Sequence, residues 1–309
     1  MNGEILSPRA AAFERIKRLV LDTLPSAESK RAYGQALDDF FRWCDAAAVS
    51  EFTKAVVNCY RVSLEERSLS PSTINQRLSA IRKLAMEAAD NGLMPPNVAT
   101  AISRVRGTKR TGIRTGQWLT REQAENLISA PDATENKGKR DRALLAVLIG
   151  CGLRRREAAS LTVGHIQLRD ARWVIVDLIG KGGRVRSVPM PSWTKSAIDS
   201  WIAAADISDG FVFRAMNRGG RVIAASITPR AICQMVQRFG DAIGAPKLAP
   251  HDLRRTFSKL AHKGRSGLEQ IQLSLGHASI TTTERYLGVR QDLNDAPCDH
   301  LGLTIEVLR

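Results

Sequence analysis

Arg140 to Cys151 reads RDRALLAVLIGC, and from Ala143 onward no charge or hydroxyl interrupts it. A helix that is apolar on every face cannot lie on a protein surface and must be enclosed by other elements. The apolar run Ala143 to Leu153 is also too short to span a bilayer. It is therefore expected as the central buried helix of a globular domain, and the flanking sequence supplies a shell. Leu119-Thr120-Arg121-Glu122 opens a helix with Thr120 as its cap. Arg172 to Ile179 (RWVIVDLI) is β-rich, and Gly180-Lys181-Gly182-Gly183 turns it back into Arg184 to Pro189 as a hairpin. Helical periodicity returns at Ser192 to Ala205, Thr228 to Ile243, His251 to His262 and Leu268 to Leu275.

Upstream, residues 1 to about 105 read as helical throughout. Phe13, Ile16, Leu19, Val20 and Leu24 recur at helical spacing until Pro25. Ser29 to Ala48 carries Tyr33, Leu37, Phe40, Phe41 and Cys44 on one stripe, and a third helix runs from about Phe52 to Arg67. Ser70 and Pro71 open a fourth, with Ile74, Leu78, Ile81, Leu84 and Ala85 inward and Asn91-Gly92 at its end. Its other face shows Gln76, Arg77, Arg82 and Lys83, which as sequence alone is an ordinary solvated face. Arg104 to Gly116 (RVRGTKRTGIRTG) has five basic residues, no acidic ones and three glycines. That composition suits a flexible linker whose charge could lie along a phosphate backbone. The expected organisation is a helical bundle over 1–105, a basic linker over 106–117 and a second domain over 118–309 with a tail from about 289. The fold class is mainly α with a small β-hairpin or sheet (α+β).

The charge balance narrows the partners. Lys+Arg outnumber Asp+Glu by 46 to 31, for a formal net charge of +15. Such a balance favours a polyanionic partner without specifying a fold. The cysteines, Cys44, Cys59, Cys151, Cys233 and Cys298, are odd in number and widely spaced. They indicate a reducing compartment and neither a disulfide framework nor a zinc site. Glu4, Arg9 and Glu14 interrupt the N-terminus, so no signal-peptide core is present. A cytoplasmic protein without membrane contact is expected.

Chemistry concentrates in four short stretches. GLRRRE (Gly152 to Glu157) offers three consecutive arginines, and the residues alone do not choose among them. A guanidinium is suited to phosphate because its planar fork donates bidentately and stays charged. GKGGRVR (Gly180 to Arg186) places Lys181 in a glycine-rich turn that lacks the P-loop pattern. Nearby arginines would lower its pKa, which suits a general acid, although a solvated hairpin lysine reads the same way. In HDLRRTF, His251 and Arg254 stand three residues apart and share a helical face. HASITTTERYL (His277 to Leu287) contains Tyr286, with Thr281 to Glu284 as a capping box ahead of it. A phenol with a pKa near 10 attacks only where its surroundings stabilise the developing charge.

In the order Arg, Lys, His-x-x-Arg, His, Tyr, these stretches resemble the tyrosine recombinase (phage integrase) family across roughly the last 190 residues. The resemblance implies the following roles. The pattern G-L-R-x-x-E selects Arg154 and makes Glu157 a supporting carboxylate. Arg254 is the second phosphate clamp, His251 accepts the proton of Tyr286, and His277, nine residues before Tyr286, donates to a non-bridging phosphate oxygen. Lys181 protonates the leaving 5′ oxygen. Arg255 stands where the family often has histidine, a position outside the catalytic pattern. The N-terminal bundle would clamp DNA through Arg77, Arg82 and Lys83, and the linker through Arg106, Lys109, Arg110 and Arg114.

The implied reaction is transesterification. Tyr286 forms a 3′-phosphotyrosyl link and frees a 5′-hydroxyl, and a 5′-hydroxyl from a second duplex reverses the step. Positive side chains stand where a nuclease would place Mg²⁺, so neither metal nor cofactor is expected. The partners implied are double-stranded DNA with paired half-sites and a tetramer of the chain on two duplexes, with the tail beyond Val289 docking on a neighbouring protomer. Type IB topoisomerase-like strand relaxation shares the residue set, and a catalytically inactive DNA-binding protein is the alternative from another class. The first helix begins close to Met1, which favours a Xer-like or mobile-element enzyme without an extra arm-binding domain.

Overall fold

Ser26, Thr53 and Ser70 each accept a hydrogen bond from the backbone N–H three residues on, at 3.1, 3.4 and 3.2 Å. These caps satisfy otherwise orphaned donors and set where helices begin. The computed structural model describes residues 8–109, 117–180, 183–217, 219–276 and 283. Five helices form the first part: α1 (Pro8–Asp22), α2 (Ala27–Ala46), α3 (Lys54–Glu66), α4 (Pro71–Asp90) and α5 (Pro96–Ser103). The stripes read from the sequence face one core, where Leu37, Tyr60, Leu64, Ile74, Leu78, Ile81 and Ile102 are buried. Phe40 is its aromatic centre, 5.0 Å from Tyr60 edge-on and 5.5 Å from Phe52.

The expected flexible linker begins differently. Asn75 on α4 pairs with the backbone of Thr108 in both directions, at 2.9 Å each way. Thr108 Oγ1 also donates to Glu65 at 2.9 Å. A Cβ on Gly107 would collide with the Asn75 side chain, so this glycine serves close packing. The stretch up to Lys109 is thus fastened to its own bundle, while Arg110 to Gly116 lies outside the described residues.

Chain contacts divide the protein into two units, Met1–Arg114 and Thr115–Arg309. The second holds α6 (Arg121–Ser129), α7 (Asn136–Gly150), α8 (Arg155–Ala159), a 3-10 turn (Val163–His165), β1 (Ile166–Arg169), β2 (Arg172–Ile179), β3 (Val185–Pro189), α9 (Ser192–Ala204), β4 (Arg214–Met216), β5 (Val222–Ser226), α10 (Pro229–Ala242), α11 (Pro250–Lys263) and α12 (Leu268–Leu275). Every residue of α7 from Ala143 to Ile149 is buried, as its all-round apolar surface requires. β1, β2 and β3 form an antiparallel sheet in that order, and β4 pairs with β5. β1, β4 and β5, at three to five residues each, carry too little alternation to have been read from the sequence. The fold is mainly helical with small antiparallel sheets. Among the described residues no helix is long and apolar enough to cross a membrane.

Candidate active site

Four separated segments converge in the second unit, and buried arginines join them. α7 ends at Gly150, and the chain turns through Cys151 to Leu153, all buried, into Arg154 at the threshold of α8. One turn on, Glu157 is 4% exposed and reaches back to Arg154 twice. Its Oε2 accepts from the Arg154 backbone N–H and its Oε1 from Nη1, both at 2.7 Å. The first contact is an N-terminal cap, and the second orients a guanidinium that stays 31% exposed. Arg155 and Arg156 are exposed, so only the first of the three arginines is held by Glu157.

A residue without an assigned role completes this group. Arg186 on β3 donates to both oxygens of Glu157, from Nη1 at 2.9 Å and Nη2 at 2.8 Å. Its Nε donates to the carbonyl of Ser274, near the end of α12, at 2.9 Å. Burial alone would push the Glu157 carboxyl up, but the Arg186 hydrogen bonds, the Arg154 backbone and the Arg186 charge outweigh it. The result lies below the usual carboxylate range. A sequence signal for Arg186 existed: strand alternation puts it in phase with the buried Val188 and Met190.

Arg254 on α11 is 1% exposed, and its Nη1 donates to the Gly152 carbonyl at 2.6 Å. Its Nη2 donates to the carbonyl of Leu275. Ser274 and Leu275 therefore have carbonyls at a helix C-terminus, where acceptors lack intrahelical partners, each met by a guanidinium. Gly276 follows in the left-handed region at φ 59°, and a Cβ there would press on the Arg186 side chain at 2.9 Å.

His251 and Arg254 lie three residues apart on α11, and the Arg254 charge acts on His251. His251 is exposed at the start of α11 while Arg254 points into the core, so they present different depths of one helix. Partial desolvation, then the charges of Arg255 and Arg254, hold the His251 pKa below its ordinary value. Asp252 opposes this, and the Arg154 charge adds to it, which sets His251 within electrostatic reach of Arg154. The hairpin turn also approaches the group. A Cβ on Gly180 would sit 3.1 Å from Arg186 Nη1 and 3.5 Å from Arg154 Nη1. Lys181, the next residue, and His277 and Tyr286 lie outside the described residues. So does the expected capping box, apart from Thr283, which is buried.

The basic residues assigned to DNA are arranged otherwise than expected on α4. Arg77 donates to Asp39 at 2.5 Å, Arg82 to the Val105 carbonyl at 2.5 Å, and Lys83 to Glu87 at 3.0 Å. Asp39 also takes Arg67 at 2.9 Å and the Tyr60 hydroxyl at 2.6 Å. The face is thus half-buried and internally paired, because Asp39 and the Val105 carbonyl lie within reach of it. Arg106 and Lys109 are exposed, and Arg110 and Arg114 lie outside the described residues. His165, a lone histidine without an assigned function, accepts from the Thr162 backbone N–H at 3.1 Å.

Comparison with known proteins adds independent findings. Residues 117–292 match the phage integrase family, and residues 16–92 match the phage integrase N-terminal SAM-like domain. Tyrosine recombinase XerC of Xylella fastidiosa (strain 9a5c) is 30% identical over 264 residues, covering 84% of this chain and 86% of that protein. Tyrosine recombinase XerC of Corynebacterium efficiens is 29% identical over 245 residues, covering 78% and 75%. Among solved structures, the XerH site-specific recombinase bound to palindromic difH substrate, a post-cleavage complex, is similar at a TM-score of 0.71. It is 19% identical and the match covers 93% of this chain and 94% of that one. A lambda integrase dimer bound to a COC′ core site gives 0.68 at 14% identity, covering 91% and 78%. At those identities the structural likeness speaks for the fold.

Proposed function

This chain belongs to the phage integrase family and is a tyrosine site-specific recombinase; from that premise we propose that Tyr286 cuts duplex DNA at paired half-sites through a 3′-phosphotyrosyl link. The observation that carries the assignment of residues is the convergence on Arg154. Glu157 orients its guanidinium, and the Gly180 turn lies against it. Arg154 is the exposed donor to the scissile phosphate, and Arg254 adds a second positive charge from beneath. His251, kept neutral by its surroundings, takes the phenol proton. The Tyr286 oxygen bonds to phosphorus, the 5′ oxygen departs with a proton from Lys181, and His277 donates to a non-bridging oxygen. In the second step a 5′-hydroxyl from the partner duplex gives its proton to Lys181 and attacks phosphorus, and Tyr286 leaves, taking its proton back from His251.

The assembly we assign is a tetramer on two duplexes, acting in the cytoplasm, with a Xer-like or mobile-element role. A nicked suicide half-site separates this reading from a DNA-binding protein, since only a nucleophile leaves a covalent adduct. Strand exchange between two labelled duplexes separates it from strand relaxation, which rejoins the original strand. Absence of both adduct and exchange refutes the assignment.

Cleavage should depend on pH through His251. A base works only when unprotonated, so a lowered pKa keeps it working further into acid. The single-turnover rate should be flat near neutrality and fall on acidification with a midpoint below the ordinary imidazole value of about 6.5. His251→Gln should be slow throughout and lack this limb. A midpoint above the ordinary value would show that His251 is not the base.

Affinity should fall steeply with salt as counterions return to the phosphates. Neutralising Arg106, Lys109, Arg110 and Arg114 together should flatten the log–log slope by up to about one unit per lost contact. Neutralising Arg77, Arg82 and Lys83 should change the slope less and lower the melting temperature more, because their partners lie within the bundle. An unchanged slope for the first set would remove the linker from the interface.

A further inference from the structure

Glu157 is a buried carboxylate shared by two guanidiniums, one of them partly exposed and one enclosed. Arg186 is 9% exposed and spans both carboxylate oxygens, whereas Arg154 touches the same oxygens from the open side. The three charges sum to +1, and of the two guanidiniums Arg154 is the one open to solvent. We infer that Arg186 is a positioning residue for cleavage: it neutralises and immobilises Glu157 so that Glu157 orients Arg154 without capturing it. This rests on the reading of Arg154 as the phosphate donor.

The physical reason lies in what one carboxylate does with one or two partners. In a poorly solvated setting an unshared carboxylate binds a lone guanidinium strongly. Without Arg186 the nearest cation is Arg154, 2.7 Å away, and a phosphate would have to compete with Glu157 for it. With Arg186 in place each carboxylate oxygen already accepts one charge-assisted hydrogen bond from it, and Arg154 stays partly open to solvent. Arg186 is also fixed from its far side by the Ser274 carbonyl. A guanidinium makes these three contacts at once because its donors point in three fixed directions, which an ammonium does not reproduce.

The test compares single-turnover cleavage of a saturating suicide half-site by full-length Arg186→Gln, Arg186→Lys, Glu157→Gln and the double variant Glu157→Gln/Arg186→Gln. Half-site affinity and melting temperature are measured beside it. Arg186→Gln should cleave roughly tenfold to a hundredfold more slowly, the scale for losing a partner that orients a functional side chain, while still binding DNA. Arg186→Lys should retain more activity than Arg186→Gln. The decisive comparison is the double variant. Once the carboxylate at position 157 is replaced by an uncharged amide, nothing remains to capture Arg154. The double variant should therefore cleave no more slowly than Glu157→Gln and faster than Arg186→Gln. A residue that merely held the fold would give losses that multiply. Should Arg186→Gln fail to fold, the double variant, which orphans no buried charge, and Arg186→Lys still decide the matter. A double variant far slower than Glu157→Gln overturns the inference. So does full activity in Arg186→Gln when Arg154→Ala is severely impaired. Full activity in Arg154→Ala would instead overturn the reading on which it rests.

Discussion

Tyr286→Phe should bind duplex DNA with unchanged affinity and form no covalent adduct on a suicide half-site. The substitution removes one oxygen and keeps the ring, so contacts that depend on shape survive while the bond-forming atom is gone. The expected loss is complete within detection, because phenylalanine has no lone pair to offer phosphorus. The chain has two other tyrosines, and neither can substitute. Tyr60 is 0% exposed and donates to Asp39 at 2.6 Å, and burial followed by that carboxylate pushes its pKa well up. Tyr33 is half-buried on α2 in the first unit. Tyr60→Phe should therefore keep adduct formation and lose about 1.5–3 kcal/mol of stability, the usual worth of a hydrogen bond to a charged group. An adduct on Tyr286→Phe, mapped to another residue by digestion, would show that the nucleophile is misassigned.

Arg154→Ala and Arg254→Ala should both abolish efficient cleavage, for different reasons that a melting curve separates. Arg154 is one-third exposed, so its removal should slow cleavage roughly a hundredfold to a thousandfold with little change in melting. Arg254 is enclosed and serves the Gly152 and Leu275 carbonyls. Truncating it should cost about 1–3 kcal/mol for each acceptor left dry, in addition to any catalytic loss. Arg155→Ala and Arg156→Ala should stay within a few-fold of the parent, because Glu157 holds neither guanidinium in the way it holds Arg154. If Arg156→Ala were the most damaging of the three, the register of that motif would be wrong.

Much of the scaffold was legible because it is local. α7 follows from an apolar run with no polar face, and α4 from Ser70, Pro71 and a stripe at helical spacing. The hairpin between β2 and β3 follows from a β-rich run meeting a glycine-rich turn. β4 and β5 were not legible, since strands so short are held by a partner rather than by their own alternation. The candidate catalytic residues were found by motif, which reports residue type and order and is silent on depth. His251 and Arg254 share a motif, yet one lies at the surface and the other in the core.

The sequence by itself determined where helices begin, which faces are apolar, and which residue types stand in the recombinase order, because caps, periodicity and spacing act over a few residues. Only the tertiary structure decided which charges are shared. Arg186 meets Glu157 across 29 residues and the Ser274 carbonyl across 88. Arg77 meets Asp39 across 38. Gly107 was expected to loosen a linker and instead lets it pack on α4. Hydrogen bonds and charge pairing depend on distance in space, and a buried carboxylate is satisfied by whichever cation the folded chain brings to it.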